Sequence, residues 1–234
     1  MELSRVGAIE AVELGVDLQG LVRAARGVDA AAASIVQYLY RNLATAHKGE
    51  RACALVRFYT TTRFDGLDPQ QAEFAREALG ASPEPTMKCL TLVASAGDDP
   101  AWNDPALSLG HRAIPLPSQA SVERLPMVAQ LFRELGLDVG AFLSRDPRLM
   151  VDIATNSYNV FYVEEAAGSP HVPAQENFVE PYGIRSVVGF GGALPTDELY
   201  SVIMFTRVHV PRQNAAMFRV VALSVKEALQ PHLA

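Results

Sequence analysis

The stretch that most constrains the fold runs from Tyr182 to Val210, YGIRSVVGFGGALPTDELYSVIMFTRVHV. It holds two apolar runs of β-type composition separated by turn residues, and an amphipathic helical pattern follows at once. In the first run, Ile184 to Phe190, alternation puts Ile184, Ser186, Val188 and Phe190 on one side and Arg185, Val187 and Gly189 on the other. The second, Leu199 to Val210, is rich in Val, Ile, Phe and Tyr, residues that suit a pleated, half-buried surface. Between them GGALPTDE supplies the Gly, Pro and Asp of a chain reversal, so the pattern predicts a β-hairpin. After Pro211, the residues Ala215, Phe218, Val221, Ala222, Val225, Ala228 and Leu229 recur at spacings of three and one. That is one face of a helix of about 18 residues, closed by Pro231.

Upstream, residues 1–17 have mixed character and are set apart as an N-terminal segment. From Leu18 to Leu43 apolar positions keep helical spacing, with Gly27 marking a division into two helices and Asp29 as N-cap of the second. Arg51 to Thr60, RACALVRFYT, reads as a central strand, and Thr86 to Ala94 as another. Between them Pro69 to Leu79 reads as a short helix, with Asp68 as its cap and Pro69 in the first turn. Residues 97–118 carry Pro100, Pro105, Pro115, Pro117 and the chain's single Trp, the composition of an irregular but packed segment. Ser121 to Leu135 predicts a helix ended by Gly136, a further helical piece is expected over 138–152, and Tyr158 to Glu165 is a strand candidate. Nothing resembling a repeat or a charged linker divides the chain, so residues 18–234 are expected to form one domain.

At 234 residues the chain can bury a sizeable core without disulfides. Its two cysteines, Cys53 and Cys89, lie inside apolar runs, the usage of a reducing compartment. No apolar run approaches the roughly 20 residues of a membrane span, and MELSRVGAIE carries acids where a signal peptide carries bases. A cytoplasmic protein is expected, with no membrane partner. A net charge of −6 with scattered bases offers no footprint for direct nucleic-acid binding.

Ile184-Arg185-Ser186-Val187-Val188, the turn through Leu194-Pro195, the strand Leu199 to Phe205 and the helix from Asn214 together resemble the C-terminal third of a GAF domain. The order of helix, strand, helix, strand and irregular middle ahead of them is similar to the rest of that fold. The resemblance implies an α+β fold with a central antiparallel sheet of five or six strands. It places the N- and C-terminal helices on one face and an irregular helical lid, about residues 97–180, on the other. It further implies a small-molecule-binding sensory or regulatory domain of a bacterial-type signalling protein. Such a domain pairs as a homodimer through its terminal helices and feeds a downstream kinase, cyclase or regulator.

Two other readings stay open: an interaction or dimerisation module without a ligand, and a thiol-based redox enzyme. No G-x-S-x-G or H-E-x-x-H motif orders a catalytic site. The segment Phe205 to Arg212 lacks the Asn-Lys start and the acid that mark cyclic-nucleotide-binding members. The candidate ligand-binding residues are Trp102, His111, Tyr158, His171, Tyr182 and Arg185, polar or aromatic groups of the irregular middle and the hairpin mouth. Arg185 has the geometry to clamp an anion, or else pairs with Glu180 at the surface, while Trp102 and Tyr182 also suit plain core packing. The five histidines have no zinc-ligand spacing; a haem-binding member of the class would use one of them, His111 or His171. The cofactor is otherwise left open.

Overall fold

The longest apolar strand, β1 (Cys53–Arg63), forms one open sheet with β2 (Lys88–Gly97), β3 (Ala113–Leu116), β4 (Tyr158–Val163), β5 (Ser186–Ala193) and β6 (Leu199–Thr206). The spatial order is β3-β2-β1-β6-β5-β4, with antiparallel pairing throughout. The computed structural model describes residues 1–47, 49–108, 110–144 and 158–233. The hairpin β5–β6 is local, whereas β6 returns to pair with β1 (Phe58 opposite Val202), so the centre of the sheet joins the two ends of the sequence. Between Phe58 and Tyr59 the pairing jumps from Ala94 to Leu92, leaving Val93 as an extra residue on β2, a bulge that sharpens the local twist.

Alternation sorts the strands into two faces. Val56, Phe58, Val188, Phe190, Tyr200, Val202 and Met204 meet the helices α1 (Ala8–Ala24) and α2 (Val28–Asn42) with the C-terminal helical residues Phe218 to Leu229 in one core. Leu55, Tyr59, Leu90, Val187, Ile203 and Phe205 face the other way, into a second core with the irregular middle. The α+β arrangement with terminal helices on one face and a helical lid on the other is the expected one.

The short helix α3 (Pro69–Leu79) has the expected cap: the Asp68 carboxylate accepts from the Gln70 and Gln71 N–H groups at 2.8 and 2.9 Å. On the lid side follow α4 (Gln119–Glu123), α5 (Pro126–Glu134) and α6 (Val139–Ser144). The single helix expected over 121–135 is split because Pro126, lacking an N–H, starts a new helix rather than continuing the old one. Of the helix expected over 138–152, α6 is present, and residues 145–152 lie outside the described residues. The C-terminal helix is divided into α7 (Arg212–Ala215) and α8 (Phe218–Leu229), and α8 buries the predicted stripe. The Tyr200 hydroxyl donates to the Ala222 carbonyl, pinning α8 to the sheet.

Other expectations are corrected. Helix α1 begins at Ala8, inside the segment set apart as 1–17, because Ala11, Leu14 and Leu18 give it a buried face. Gly27, at φ 99°, precedes α2 in place of Asp29, which sits in the first turn. The glycines of GGALPTDE are not the hairpin turn: Gly191 and Gly192 lie within β5, and the turn closes through Leu194, whose N–H donates to the Glu198 carbonyl at 2.7 Å. Ile184 precedes the strand and packs into the lid-side core, away from Val188 and Phe190. Strand β3, inside the segment expected to be irregular, is a sheet edge, where Pro115 leaves no ladder bond unmade.

Helix α1 packs on α2 and α8 as an outer layer. Among the described residues no helix is long and apolar enough to cross a membrane.

Candidate functional site

On the lid side of the sheet the period of two brings Leu55, Arg57 and Tyr59 of β1 into one row, flanked by Leu90 of β2 and by Ile203 and Phe205 of β6. This row floors a cavity of about 370 Å³. Its walls come from α5 (Met127, Val128, Leu131), from Trp102, His111 and Ile114, and from the stretch Pro170 to Phe178. The lining is apolar apart from a few polar groups, the make-up of small-molecule sites.

Trp102 is placed by a 3-10 turn, Pro100–Asn103, which follows directly on β2. Its indole meets Tyr182 at 4.4 Å and Phe178 at 5.4 Å between centroids, and Phe178 stands edge-on to Phe205 at 5.0 Å. These contacts seat the lid on the sheet through aromatic rings.

Arg57 is the charged group of the floor. Its Nη1 donates to the Tyr59 hydroxyl and its Nη2 to the Ser108 hydroxyl, both at 3.3 Å, longer than usual N–H···O bonds. Its Nε is buried with no protein partner, and among the described residues no carboxylate lies within ion-pair distance. Ser95, directly opposite Arg57 on β2, and Ser201, opposite Tyr59 on β6, also carry buried hydroxyls without partners.

His111 is an exposed residue at the rim between this cavity and a more open cleft lined by Phe74, Pro117 and Arg124, its ring crowded by neighbouring atoms while part of the residue faces solvent. Burial by its neighbours, and then the Arg57 charge, hold its pKa below the ordinary value of 6.5. Its backbone is left-handed, φ 62°, as is that of Ala174, φ 60°, on the opposite wall. Ala174 opens the π-helical turn Gln175–Val179. Strained non-glycine residues and π-turns gather where a fold is shaped around a function.

Of the six residues singled out from sequence, Trp102 and His111 line the cavity. Tyr182 packs behind Trp102, its hydroxyl 3.4 Å from Asp99. His171 lies between Pro170 and Pro173, which line the cavity, and its Nδ1 is buried without a partner. Tyr158 is on the other face, against α8, with Arg219 and Lys226 over its ring at 5.4 and 5.6 Å. Arg185 is exposed beside the sheet, and no ion pair joins it to Glu180. From sequence Arg57 and Tyr59 are only parts of a strand. The signal is an arginine set inside the apolar run ACALVRFY, between Val56 and Phe58.

The two thiols are buried and apart. Cys53 pairs with Thr206 and Cys89 with Thr62, nine positions further along β1, about 30 Å at strand rise. Burial pushes Cys53 up to about 12 and Cys89 up to about 11, so both remain neutral thiols. Among the described residues no group of three or more His, Cys, Asp or Glu is placed to hold a metal ion. No protein-family model matches the chain, and neither does any curated protein sequence.

Proposed function

We propose that the chain is a GAF-like sensory domain that takes a small molecule between the sheet and the lid and reports its presence through the terminal helices. The observation that carries this reading is the cavity of about 370 Å³ on the lid face, apolar in its walls and polar at Arg57, Tyr59 and His111. Strands β1 and β6 connect it to the helices: Tyr59 and Ile203 face the cavity while their neighbours Phe58 and Val202 pack in the core with α1, α2 and α8. A ligand that prefers one lid arrangement shifts the population of the whole unit.

The reporting surface in this reading is the outer face of α1. Ile9, Val12 and Val16, spaced at helical intervals, are 72, 51 and 61% exposed, and Val220 of α8 adds 41%. Pairing of two copies along this stripe gives a homodimer whose helix seam drives a kinase, cyclase or regulator. Two free, buried cysteines suit a cytoplasmic setting.

A thermal-shift screen of metabolites on the full chain tests the sensor, because a ligand that binds only the folded state must raise the melting temperature. Sedimentation of the wild type and of Val12→Glu/Val16→Glu tests the seam: dimer for the first, monomer for the second. A screen in which nothing stabilises the protein, combined with a dimer lost in the double variant, would leave an interaction module instead.

A further inference from the structure

We infer that the cavity recognises a small monocarboxylate with an apolar body, its carboxylate held by Arg57 and its body by the Trp102, Met127 and Phe205 walls. The inference rests on the cavity being the ligand site proposed above.

The argument begins with the cost of the cation. Lys88, a buried cation of the lid-side region, is satisfied: its Nζ donates to the Phe142 and Asp197 carbonyls at 3.1 and 2.5 Å and lies 3.8 Å from the Phe142 ring. Arg57 has no such provision. A half-buried guanidinium on an apolar floor, with two long contacts to neutral hydroxyls and a buried, unpartnered Nε, gains from an anion the charge partner that the protein does not supply. A planar carboxylate matches its paired N–H groups, and such bonds shorten to about 2.7–2.9 Å when charge-assisted. The Tyr59 hydroxyl accepts from Arg57 and so has its own proton to donate to the same oxyanion. His111, kept neutral, adds a further polar group without a second full charge.

Charge balance selects carboxylate over phosphate. One arginine neutralises one negative charge, whereas a phosphate monoester brings about −1.5 to −2 at neutral pH and would leave the excess in an apolar cavity. The remaining lining is aliphatic and aromatic, which fits an aryl or branched alkyl body.

Trp102 is the chain's only tryptophan and lines the cavity, so its fluorescence reports occupancy directly. The full chain is titrated with phenylacetate and 4-methylpentanoate, with their neutral amides, and with phenyl phosphate. The expected result is saturable change with the carboxylates, at least about tenfold weaker binding of the amides, and loss of that preference in Arg57→Met. Arg57→Lys, which retains the charge, keeps part of it. Ligand-free Arg57→Met should melt no lower than the wild type, whereas a structural arginine would lower it. Equal binding of acids and amides would overturn the anionic class and leave the sensor standing. Tighter binding of phenyl phosphate would overturn the choice of carboxylate. A signal from none of the five compounds would remove both the inference and the ligand site beneath it.

Discussion

Asn103 holds both backbone polar groups of Gly97: its Oδ1 accepts the Gly97 N–H at 3.1 Å, and its Nδ2 donates to the Gly97 carbonyl at 3.0 Å. The side chain thus completes the end of β2 and, one residue away, fixes where Trp102 enters the cavity wall. A Cβ on Gly97 would lie 2.7 Å from Trp102 Cε3 and 3.1 Å from the Ala54 carbonyl, so the bare backbone is what lets the indole lie flat there.

Asn103→Ala is therefore expected to cost about 1–3 kcal/mol, since two backbone groups lose their partner. Gly97→Ala should cost a similar amount by overpacking. Both should shift Trp102 emission in the folded protein. Urea unfolding followed by circular dichroism measures the first effect and fluorescence the second. Destabilisation with unchanged emission would mean that the clamp serves the strand and not the wall.

Gly191 makes a second close approach. A Cβ there would stand 2.2 Å from the Tyr200 carbonyl and 3.0 Å from Ser201 Cα, both backbone atoms of the neighbouring strand. Because neither can swing away, Gly191→Ala must separate β5 from β6 and is expected to destabilise by about 3 kcal/mol or more. A variant with near wild-type urea midpoint would show that the hairpin can open locally at no cost.

What could be read from the sequence divides along the same line. The α8 stripe, the Asp68 cap and the β5–β6 pairing depend on neighbours within a few residues, and each was legible. Gly191 reads as turn chemistry because nothing local distinguishes a glycine that turns a chain from one that admits a neighbouring backbone. Arg57 was hidden for a similar reason. Its row on β1 is evident from alternation, yet whether that row faces core helices or a cavity is decided by β6 and α5, distant in sequence. Composition places Tyr158 in the irregular middle and Arg185 at the hairpin mouth, whereas the pleat of β4 turns Tyr158 to the helix face and Arg185 lies exposed beside the sheet.

Asp98 ties three elements at one end of the sheet. It accepts from the Tyr40 hydroxyl of α2 at 2.5 Å, pairs with Arg207 just past β6, and has Arg51 at 3.7 Å. Burial, then the Asp98 contact, pushes the Tyr40 hydroxyl up to about 12. Asp98→Ala leaves the Tyr40 hydroxyl without its acceptor and Arg207 with only the long 3.4 Å contact to the Cys53 carbonyl, and a loss of about 2 kcal/mol is expected. Asp98→Asn, which still accepts from Tyr40, should lose less. Equal stability of the two variants would show that the charge alone carries the contact.

His111 makes acid sensitivity a test of the cavity's electrostatics. Its folded pKa lies below the ordinary 6.5, through burial first and the Arg57 charge second. The unfolded chain therefore binds the proton more readily, and unfolding is favoured as protons are added. The stability that neutral His111 contributes is intact above about pH 7 and is lost as the pH falls through 6.5 towards the lowered folded value. Glu198 shifts the opposite way, its carboxyl raised by burial, so the raw pH profile mixes both signs and only a difference between variants isolates the histidine. His111→Asn suits the purpose because asparagine tolerates the left-handed backbone at φ 62°. Between about pH 7.5 and 5 the wild-type melting temperature should fall more steeply than that of His111→Asn. Arg57→Met should lie between them, since it removes the repulsion and leaves the burial. Parallel profiles for all three would mean that His111 does not feel the cavity, and that its contribution to an anion site must be abandoned.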